Sequence, residues 1–260
     1  MLTPKTLLER ESALADLDAA LASARLGKGC NVLVRGESGI GKSSLLQAWA
    51  AQAVAAGTSV HWGGCEALFT PRPLGPVIDI AAGMGADVRE AVRRQRPPIE
   101  LFAAIATDLQ ASNRSIGRSA GGHDVQVLVL EDVHWADHLT LDFLKYLGRR
   151  VHQWSVVLIA SYRDDEVGAM HPLTQVVGEL PSSDVVTIDL KALSHQALAQ
   201  LSGFAPAEAL ALHRITGGNP FFATEVVASA VRGDDVHAAT VPGTVASAVL
   251  ARAQRVGADA

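Results

Sequence analysis

One glycine-rich segment, residues 36–43, constrains the fold of this chain more than any other part of the sequence. Its letters, GESGIGKS, satisfy the pattern Gly-x-x-x-x-Gly-Lys-Ser/Thr of a phosphate-binding loop, or P-loop. An apolar run, residues 31–35, precedes the segment, and an apolar helical pattern that ends at Gly57 follows it. A strand, a glycine loop and a helix in this order are the setting that the pattern requires, so we predict a P-loop here.

Each part of this loop has its own chemical task. The glycines permit positive φ angles and let backbone N–H groups approach phosphate oxygens closely. The helix that begins near Lys42 points the positive end of its dipole at the same anion. Lys42 supplies a full charge to the β- and γ-phosphates, and the Ser43 hydroxyl can coordinate Mg²⁺. We therefore expect ATP and Mg²⁺ as ligands. The expected nucleotide contacts in this segment are Gly36, Glu37, Ser38, Gly39, Ile40, Gly41, Lys42, Ser43 and Ser44.

Two carboxylates, Glu131 and Asp132, follow the apolar run of residues 127–130. The carboxyl ends of parallel strands line the crevice in which such sheets bind ligands. One of the two acids can meet the metal shell while the other polarises the attacking water. The alternative is a solvated strand end with Asp132 as a helix cap.

A cation, Arg163, closes another apolar run, residues 156–162. At this strand end a positive charge can contact the γ-phosphate of a nucleotide. It can equally form an ion pair with Asp164 or Asp165, which contributes little if the pair is exposed. The residues alone favour neither reading.

The order of apolar runs and amphipathic stretches predicts an α/β fold of the P-loop NTPase type, a parallel sheet with helices on both faces. Strands are predicted over residues 31–35, 59–62, 125–130, 155–161 and 184–190, and residues 113–124 are predicted to form a loop. Helices are predicted over residues 6–26, 42–57, from 76, 98–110 and 139–151. Beyond residue 190 only helical patterns follow, over residues 193–203, 206–216, 219–231 and 243–255. We therefore predict a P-loop ATPase core over residues 1–190 and a small helical lid over residues 191–260.

Composition limits the partners of the chain. It has 22 basic and 27 acidic residues, a net charge of −5, which argues against a large nucleic-acid-binding face. Two cysteines cannot build a disulfide framework. The first residues lack the apolar stretch of a signal peptide, and the longest apolar runs are too short to span a bilayer. We expect a cytoplasmic protein without a membrane partner.

Four segments in this order resemble the STAND class of signal-transduction ATPases, which is related to the origin-recognition AAA proteins. The resemblance is greatest to the ATPase module of large LuxR-type transcription regulators. The segments are residues 7–11 (LLERE), 36–43 (GESGIGKS), 130–137 (LEDVHWAD) and 217–222 (GGNPFF). Together they extend over nearly the whole chain.

The resemblance implies an ASCE-type sheet, in which the Arg163 strand lies between the P-loop strand and the Glu131 strand. It implies that Arg163 is the phosphate sensor and that Glu131 contacts Mg²⁺, while Asp132 polarises the water. It also places Arg10 and Glu11 near the adenine.

The resemblance further implies that Pro220 packs near the base from the helical lid. Glu9 stands where the family has a glycine, and this departure bears on the local loop geometry. In the segment 130–137, Trp135 is expected to be a packing residue. Asp137 is as well suited to cap a helix as to act in catalysis.

The leading hypothesis is a Mg²⁺-dependent ATP hydrolase that acts as a slow regulatory nucleotide switch. One alternative is a P-loop phosphotransferase, which the small number of arginines after residue 190 disfavours. The other is a nucleotide-binding interaction module with negligible hydrolysis. We expect ATP and ADP as ligands. A nucleotide-dependent oligomer is left open. Because the end of the sequence resembles only the first helix of a winged-helix domain, we expect no direct DNA binding by these residues.

Overall fold

Five parallel strands form one sheet in the part of the chain that the structure, a computed structural model, describes, namely residues 7–114 and 124–231. The strands are β1 (Cys30–Arg35), β2 (Ser59–Gly64), β3 (Gln126–Glu131), β4 (Val156–Tyr162) and β5 (Val185–Asp189). Apolar runs rich in valine, leucine and isoleucine form the buried strands β1, β3 and β4, whereas β2 is only partly buried.

Ten α-helices precede, connect or follow these strands within the described residues. Seven belong to the first part of the chain: α1 (Glu11–Arg25), α2 (Lys42–Ala55), α3 (Gly75–Ala82), α4 (Ala86–Arg93), α5 (Pro98–Arg114), α6 (His138–Gly148) and α7 (Pro172–Gly178). Three follow the last strand: α8 (His195–Ser202), α9 (Pro206–Thr216) and α10 (Pro220–Val231). None of the described helices combines the length and the apolar character needed to cross a membrane.

The strand order is β2-β3-β4-β1-β5. Strand β4 pairs with β1 on one side, where Leu33 lies opposite Ala160, and with β3 on the other, where Val129 lies opposite Ile159. The predicted α/β fold and the insertion of β4 between β1 and β3 are therefore confirmed. Every residue of β4 is buried, because helices cover both faces of the sheet. Because β3, β4 and β1 are neighbours and run parallel, their carboxyl ends lie side by side at one edge of the sheet.

The first helix is shorter than predicted. It begins at Glu11, and residues 7–10 are not helical, so the predicted helix over residues 6–26 is wrong at its start. The cause is Glu9, which adopts φ 54° in the left-handed region that a right-handed helix excludes. The predicted loop over residues 113–124 is also wrong in part, because α5 continues to Arg114; residues 115–123 lie outside the described residues.

Two compact units make up the chain. The first contains the sheet and helices α1 to α7. The second contains, of the described residues, 7–9, 39–41 and 191–231. Apolar side chains of α8, α9 and α10, together with Leu193 before α8, form the core of this second unit, and Leu8 and Phe204 pack against it. The core residues are Leu193, Ala197, Leu198, Leu212, Ala223 and Val226. The predicted helix over residues 243–255 lies outside the described residues.

Within the second unit, the Glu9 carboxylate accepts hydrogen bonds from the backbone N–H of Ser194, at 2.8 Å, and from its hydroxyl. The same Ser194 oxygen accepts from the backbone N–H of Ala197 and so caps α8. Glu9 therefore keeps the backbone angle that a glycine would favour. Its carboxylate offsets the strain by binding a residue 185 positions away.

We expect Glu9→Ala to lower the free energy of unfolding by about 1–2 kcal/mol, because it loses both hydrogen bonds while the strain of a side chain at positive φ remains. Glu9→Gly loses the same bonds but relieves the backbone strain, so its loss is expected to be smaller. Urea unfolding of the two variants and the wild type measures the difference. Equal stability of the alanine and glycine variants would show that the backbone at residue 9 is not strained.

Candidate active site

The predicted P-loop joins β1 to α2, and Lys42 is the first residue of the helix. Its three glycines all have positive φ angles: 149° for Gly36, 76° for Gly39 and 104° for Gly41. At Gly39 a side chain is excluded for a second reason. A Cβ there would lie 2.7 Å from the Cβ of Phe221, which belongs to the same compact unit. The Phe221 N–H donates to the Gly39 carbonyl at 3.3 Å, so the loop is packed as well as hydrogen-bonded at this residue.

Lys42 is buried, with 6% of its surface exposed, and its ammonium group lies against the loop. Its Nζ donates to the carbonyl oxygens of Gly36, at 2.6 Å, and Glu37, at 2.9 Å. Burial lowers the pKa of Lys42, since a charge is less well solvated there than in water. A phosphate group offers this ammonium a full negative charge in place of two carbonyl dipoles, so the geometry favours an anionic ligand.

The Glu131 side chain at the end of β3 has one oxygen in use and one without a partner. Its Oε2 accepts a hydrogen bond from the indole Nε1 of Trp62 at 3.0 Å. Its Oε1 is buried and has no hydrogen-bond partner, which is uncommon for a buried carboxylate oxygen. A hard cation such as Mg²⁺ would satisfy this oxygen.

Ser43, the second predicted magnesium ligand, lies exposed in the first turn of α2. The described residues contain no group of three or more His, Cys, Asp or Glu side chains that could hold a metal by itself. Mg²⁺ in such sites needs few protein oxygens, because water and substrate phosphates complete its octahedral shell. Glu131 and Ser43 therefore fit an ion that is bound together with a nucleotide.

Asp132 follows Glu131 in a strained backbone conformation, with φ 53° and ψ 44°. Its N–H donates to the hydroxyl of Ser161, a buried residue of β4, at 3.1 Å. No side-chain cap hydrogen bond is formed by Asp132, so the alternative of a helix cap is not what the structure shows. Burial raises the pKa of its carboxyl group. Strain of this kind in a non-glycine residue is concentrated at functional sites.

Three predicted residues lie within electrostatic reach of one another. The charges of Arg163 and Lys42 oppose the rise in the pKa of Asp132, and Asp132 opposes the fall in the pKa of Lys42. The ends of β1, β3 and β4 bring these groups together although they are far apart in sequence. A carboxylate close to two cations at a P-loop is an arrangement that can hold a water molecule and a phosphate.

Arg163 makes two contacts at the end of β4. Its NH1 donates to the Glu166 Oε1 at 2.7 Å, and its guanidinium carbon lies 4.4 Å from the centre of the Trp135 ring. The ion pair is therefore made with Glu166, a partner that the sequence did not suggest, where Asp164 or Asp165 had been considered. Trp135, expected to be a packing residue, also provides a cation–π surface.

Asp137 caps a helix. Its Oδ1 accepts from the backbone N–H groups of Leu139, at 3.0 Å, and Thr140, at 3.2 Å, at the start of α6. Its Oδ2 accepts from the N–H of Leu74. Of the two roles considered for Asp137, the structure shows the structural one.

The residues expected near the adenine are located as follows. Arg10 is buried, with 6% of its surface exposed, and directly precedes α1. Glu11 is exposed in the first turn of that helix, near the positive end of its dipole. Pro220 is the first residue of α10 in the second unit, a position that suits its fixed φ angle.

The family profile described as AAA ATPase domain matches residues 6–159, more than half of the chain. The chain belongs to the AAA ATPase domain family. The matched residues include the P-loop, Glu131 and Asp132. Among proteins with curated functions, none matches the sequence.

Solved structures share the fold of this AAA ATPase domain. A STAND protein of Pyrococcus horikoshii with a tetratricopeptide repeat sensor is 18% identical, with a TM-score of 0.51 over 86% of this chain. A Walker-type ATPase of Pyrococcus abyssi is 13% identical, with a TM-score of 0.61 over 91% of this chain and 72% of its own. The ORC2 protein of Aeropyrum pernix, solved in ADPNP–ADP complexes, is 16% identical, with a TM-score of 0.59 over 90% of this chain and 66% of its own. The chain spans 30% of the length of the STAND protein.

Sequence reasoning missed three side chains of this AAA ATPase domain. Glu166 binds Arg163, Trp62 binds Glu131, and Ser161 accepts from the N–H of Asp132. Trp62 and Ser161 carry no sequence signal, because they are ordinary members of apolar strands. The acidic run at residues 164–166 is a signal that could have identified Glu166, since a carboxylate three residues from an arginine can pair with it.

Proposed function

We propose that this AAA ATPase domain hydrolyses ATP slowly with Mg²⁺ and serves as a regulatory nucleotide switch of the STAND class. The single observation that carries the proposal is the meeting of Lys42, Asp132 and Arg163 beside a P-loop, where each alters the charge balance of the others. A carboxylate that can orient water, close to two cations that can bind phosphate, supports attack of water on a γ-phosphate.

The residue roles in this proposal follow from their chemistry. The N–H groups of the P-loop and Lys42 bind the β- and γ-phosphates. Ser43 and the Oε1 of Glu131, which has no hydrogen-bond partner, would hold Mg²⁺, and the bound ion would neutralise charge on the phosphate oxygens. Asp132 accepts a hydrogen bond from the attacking water and orients it in line with the γ-phosphate. Arg163 stabilises the charge that develops on the transferred group.

Arg10, Glu11 and Pro220 are proposed to recognise the base, and residues 191–260 are proposed to form the lid. The proposal that the domain is an ATPase module of the LuxR-type regulators is supported by the four sequence segments that resemble that class. A STAND protein shares its fold.

The assay that tests hydrolysis is phosphate release from ATP by the purified protein, with Mg²⁺ and with EDTA. We expect release to depend on Mg²⁺ and to proceed at about 10⁻² s⁻¹ or more slowly, as in switch-type NTPases that act without an activator. Faster transfer of the γ-phosphate to added metabolites than to water would favour the phosphotransferase. ATP binding with no phosphate release would favour the interaction module without hydrolysis.

The switch role needs a separate test, because any ATPase releases phosphate. Hydrogen exchange of backbone amides is compared between the ATP-bound and ADP-bound protein. A switch requires that exchange in residues 191–231 differ between the two nucleotides. Identical exchange in both states would contradict the switch and leave a plain ATPase.

A further inference from the structure

Glu166 is the residue of the site that the proposed hydrolysis leaves without a task. It lies in a short 3₁₀ turn, Asp164–Glu166, directly after β4. Its Oε1 accepts the hydrogen bond from Arg163, and its Oε2 lies 3.7 Å from the Nε2 of His134. The Glu166 carboxylate thus lies near both the Arg163 guanidinium group and the His134 ring, and of these two groups it is hydrogen-bonded to the guanidinium.

His134 is an unsatisfied side chain beside it. Its side chain is 1% exposed, and neither ring nitrogen has a hydrogen-bond partner. Its Nδ1 lies 4.0 Å from the Oδ1 of Asp132, and its Nε2 faces Glu166. Burial lowers the pKa of the ring to about 4, so the ring is neutral near pH 7 and carries a single N–H. A buried polar group without a partner requires an explanation, and here two acceptors stand just out of reach.

Arg163 is held away from open solvent by two surfaces. The carboxylate of Glu166 binds it on one side, and the Trp135 ring lies under its guanidinium group. The Trp135 ring in turn packs against the His134 ring, with 4.4 Å between the ring centres. The four side chains are linked by these contacts, so movement of Arg163 changes the surroundings of the other three.

We propose that Glu166 is a positioning residue that holds Arg163 on Trp135 when no γ-phosphate is present. The γ-phosphate of ATP competes with Glu166 for the guanidinium group. When Arg163 turns to the phosphate, the released Glu166 carboxylate accepts a hydrogen bond from the Nε2–H of His134. That exchange satisfies the buried ring and lowers the cost of breaking the ion pair. ADP lacks the γ-phosphate and leaves the set unchanged. This inference rests on the proposed function, because it assumes that ATP binds at the P-loop.

The test is the affinity of the full chain for a non-hydrolysable ATP analogue and for ADP, measured by calorimetry. In Glu166→Gln the amide keeps the shape of the side chain but lacks the charge that retains Arg163. We expect this variant to bind the ATP analogue about tenfold more tightly than the wild type does, with unchanged ADP affinity. Glu179→Gln is the matched control, because Glu179 forms an ion pair with Lys145 at the end of α7 and is expected to change neither affinity.

A double-mutant cycle shows whether the effect passes through Arg163. In the Arg163→Ala background, Glu166→Gln is expected to have no effect on the affinity for the ATP analogue. Tryptophan emission adds a spectroscopic readout: the ATP analogue, but not ADP, is expected to change it, and the change is absent in Trp135→Phe.

Four outcomes would overturn the inference. A change in Glu166→Gln that is equal for both nucleotides, or that persists without Arg163, shows a merely structural role. No change in either affinity, with normal ATP binding by the wild type, overturns the inference and leaves the proposed function intact. Failure of the wild type to bind either nucleotide overturns both.

Discussion

The substitution Asp132→Asn is expected to lower the rate of ATP hydrolysis by about 100-fold or more while ATP still binds. The amide has nearly the shape of the carboxylate but lacks the negative charge that orients and polarises water. The P-loop N–H groups and Lys42, which are proposed to bind the phosphates, are unchanged. Single-turnover phosphate release measures the rate, and equilibrium binding of ATP measures the affinity.

The same variant is expected to unfold at the same temperature as the wild type or a higher one. Burial raises the pKa of Asp132, so its folded pKa lies above its unfolded value. The folded protein therefore disfavours the charged form, and at neutral pH this carboxylate costs stability that the neutral amide does not. Asparagine also tolerates the left-handed backbone of this position. Loss of ATP hydrolysis with an unchanged melting temperature would show that the substitution affects the chemical step and not the folding.

Asp142→Asn is the matched control, because Asp142 lies exposed on α6. Phosphate release is expected to be normal in this control. Undiminished release by Asp132→Asn would refute the assignment of Asp132 as the residue that polarises water.

The raised pKa of Asp132 also predicts a pH dependence. Acidification protonates the carboxyl group, and the protonated form cannot polarise water. The rate of hydrolysis is therefore expected to fall as the pH decreases, beginning at a higher pH than an ordinary aspartate would cause. A pH profile of single-turnover release checks this. A rate that stays constant down to the pH at which an ordinary aspartate is protonated would contradict this prediction.

Lys42→Ala is expected to weaken ATP binding by roughly 100-fold and to abolish detectable hydrolysis. Its ammonium is proposed to leave the carbonyls of Gly36 and Glu37 and to form charge-assisted hydrogen bonds with the phosphates. A loss of about 3 kcal/mol from such bonds corresponds to roughly 100-fold in affinity. Calorimetric titration with ATP measures the affinity.

Lys28→Ala is the control for this substitution, because Lys28 is exposed before β1 and lies outside the P-loop. Its ATP affinity is expected to equal that of the wild type. Circular dichroism checks that Lys42→Ala is folded. Wild-type affinity and hydrolysis in a folded Lys42→Ala protein would refute the assignment of the P-loop as the phosphate site.

Some features of this protein follow from local sequence alone. The P-loop is a contiguous segment whose glycines and lysine satisfy a backbone geometry that few residue types allow, so its position and the strand and helix around it were predicted correctly. The α/β class follows from the alternation of buried apolar runs with amphipathic stretches, and this too was confirmed. The start of α1 was not predicted, because a single glutamate, Glu9, takes a backbone angle that propensity assigns to glycine.

Tertiary structure alone decided the partners of the functional side chains. The acceptor for Trp62 is Glu131, 69 residues away, and the acceptor for Ser194 is Glu9, 185 residues away. The approach of His134 to Glu166 likewise depends on how the ends of β3 and β4 lie side by side. Sequence determines the chemistry that each residue carries and the elements it lies on. The packing of the sheet determines which charges meet, because contacts between strand ends join residues that no local pattern relates.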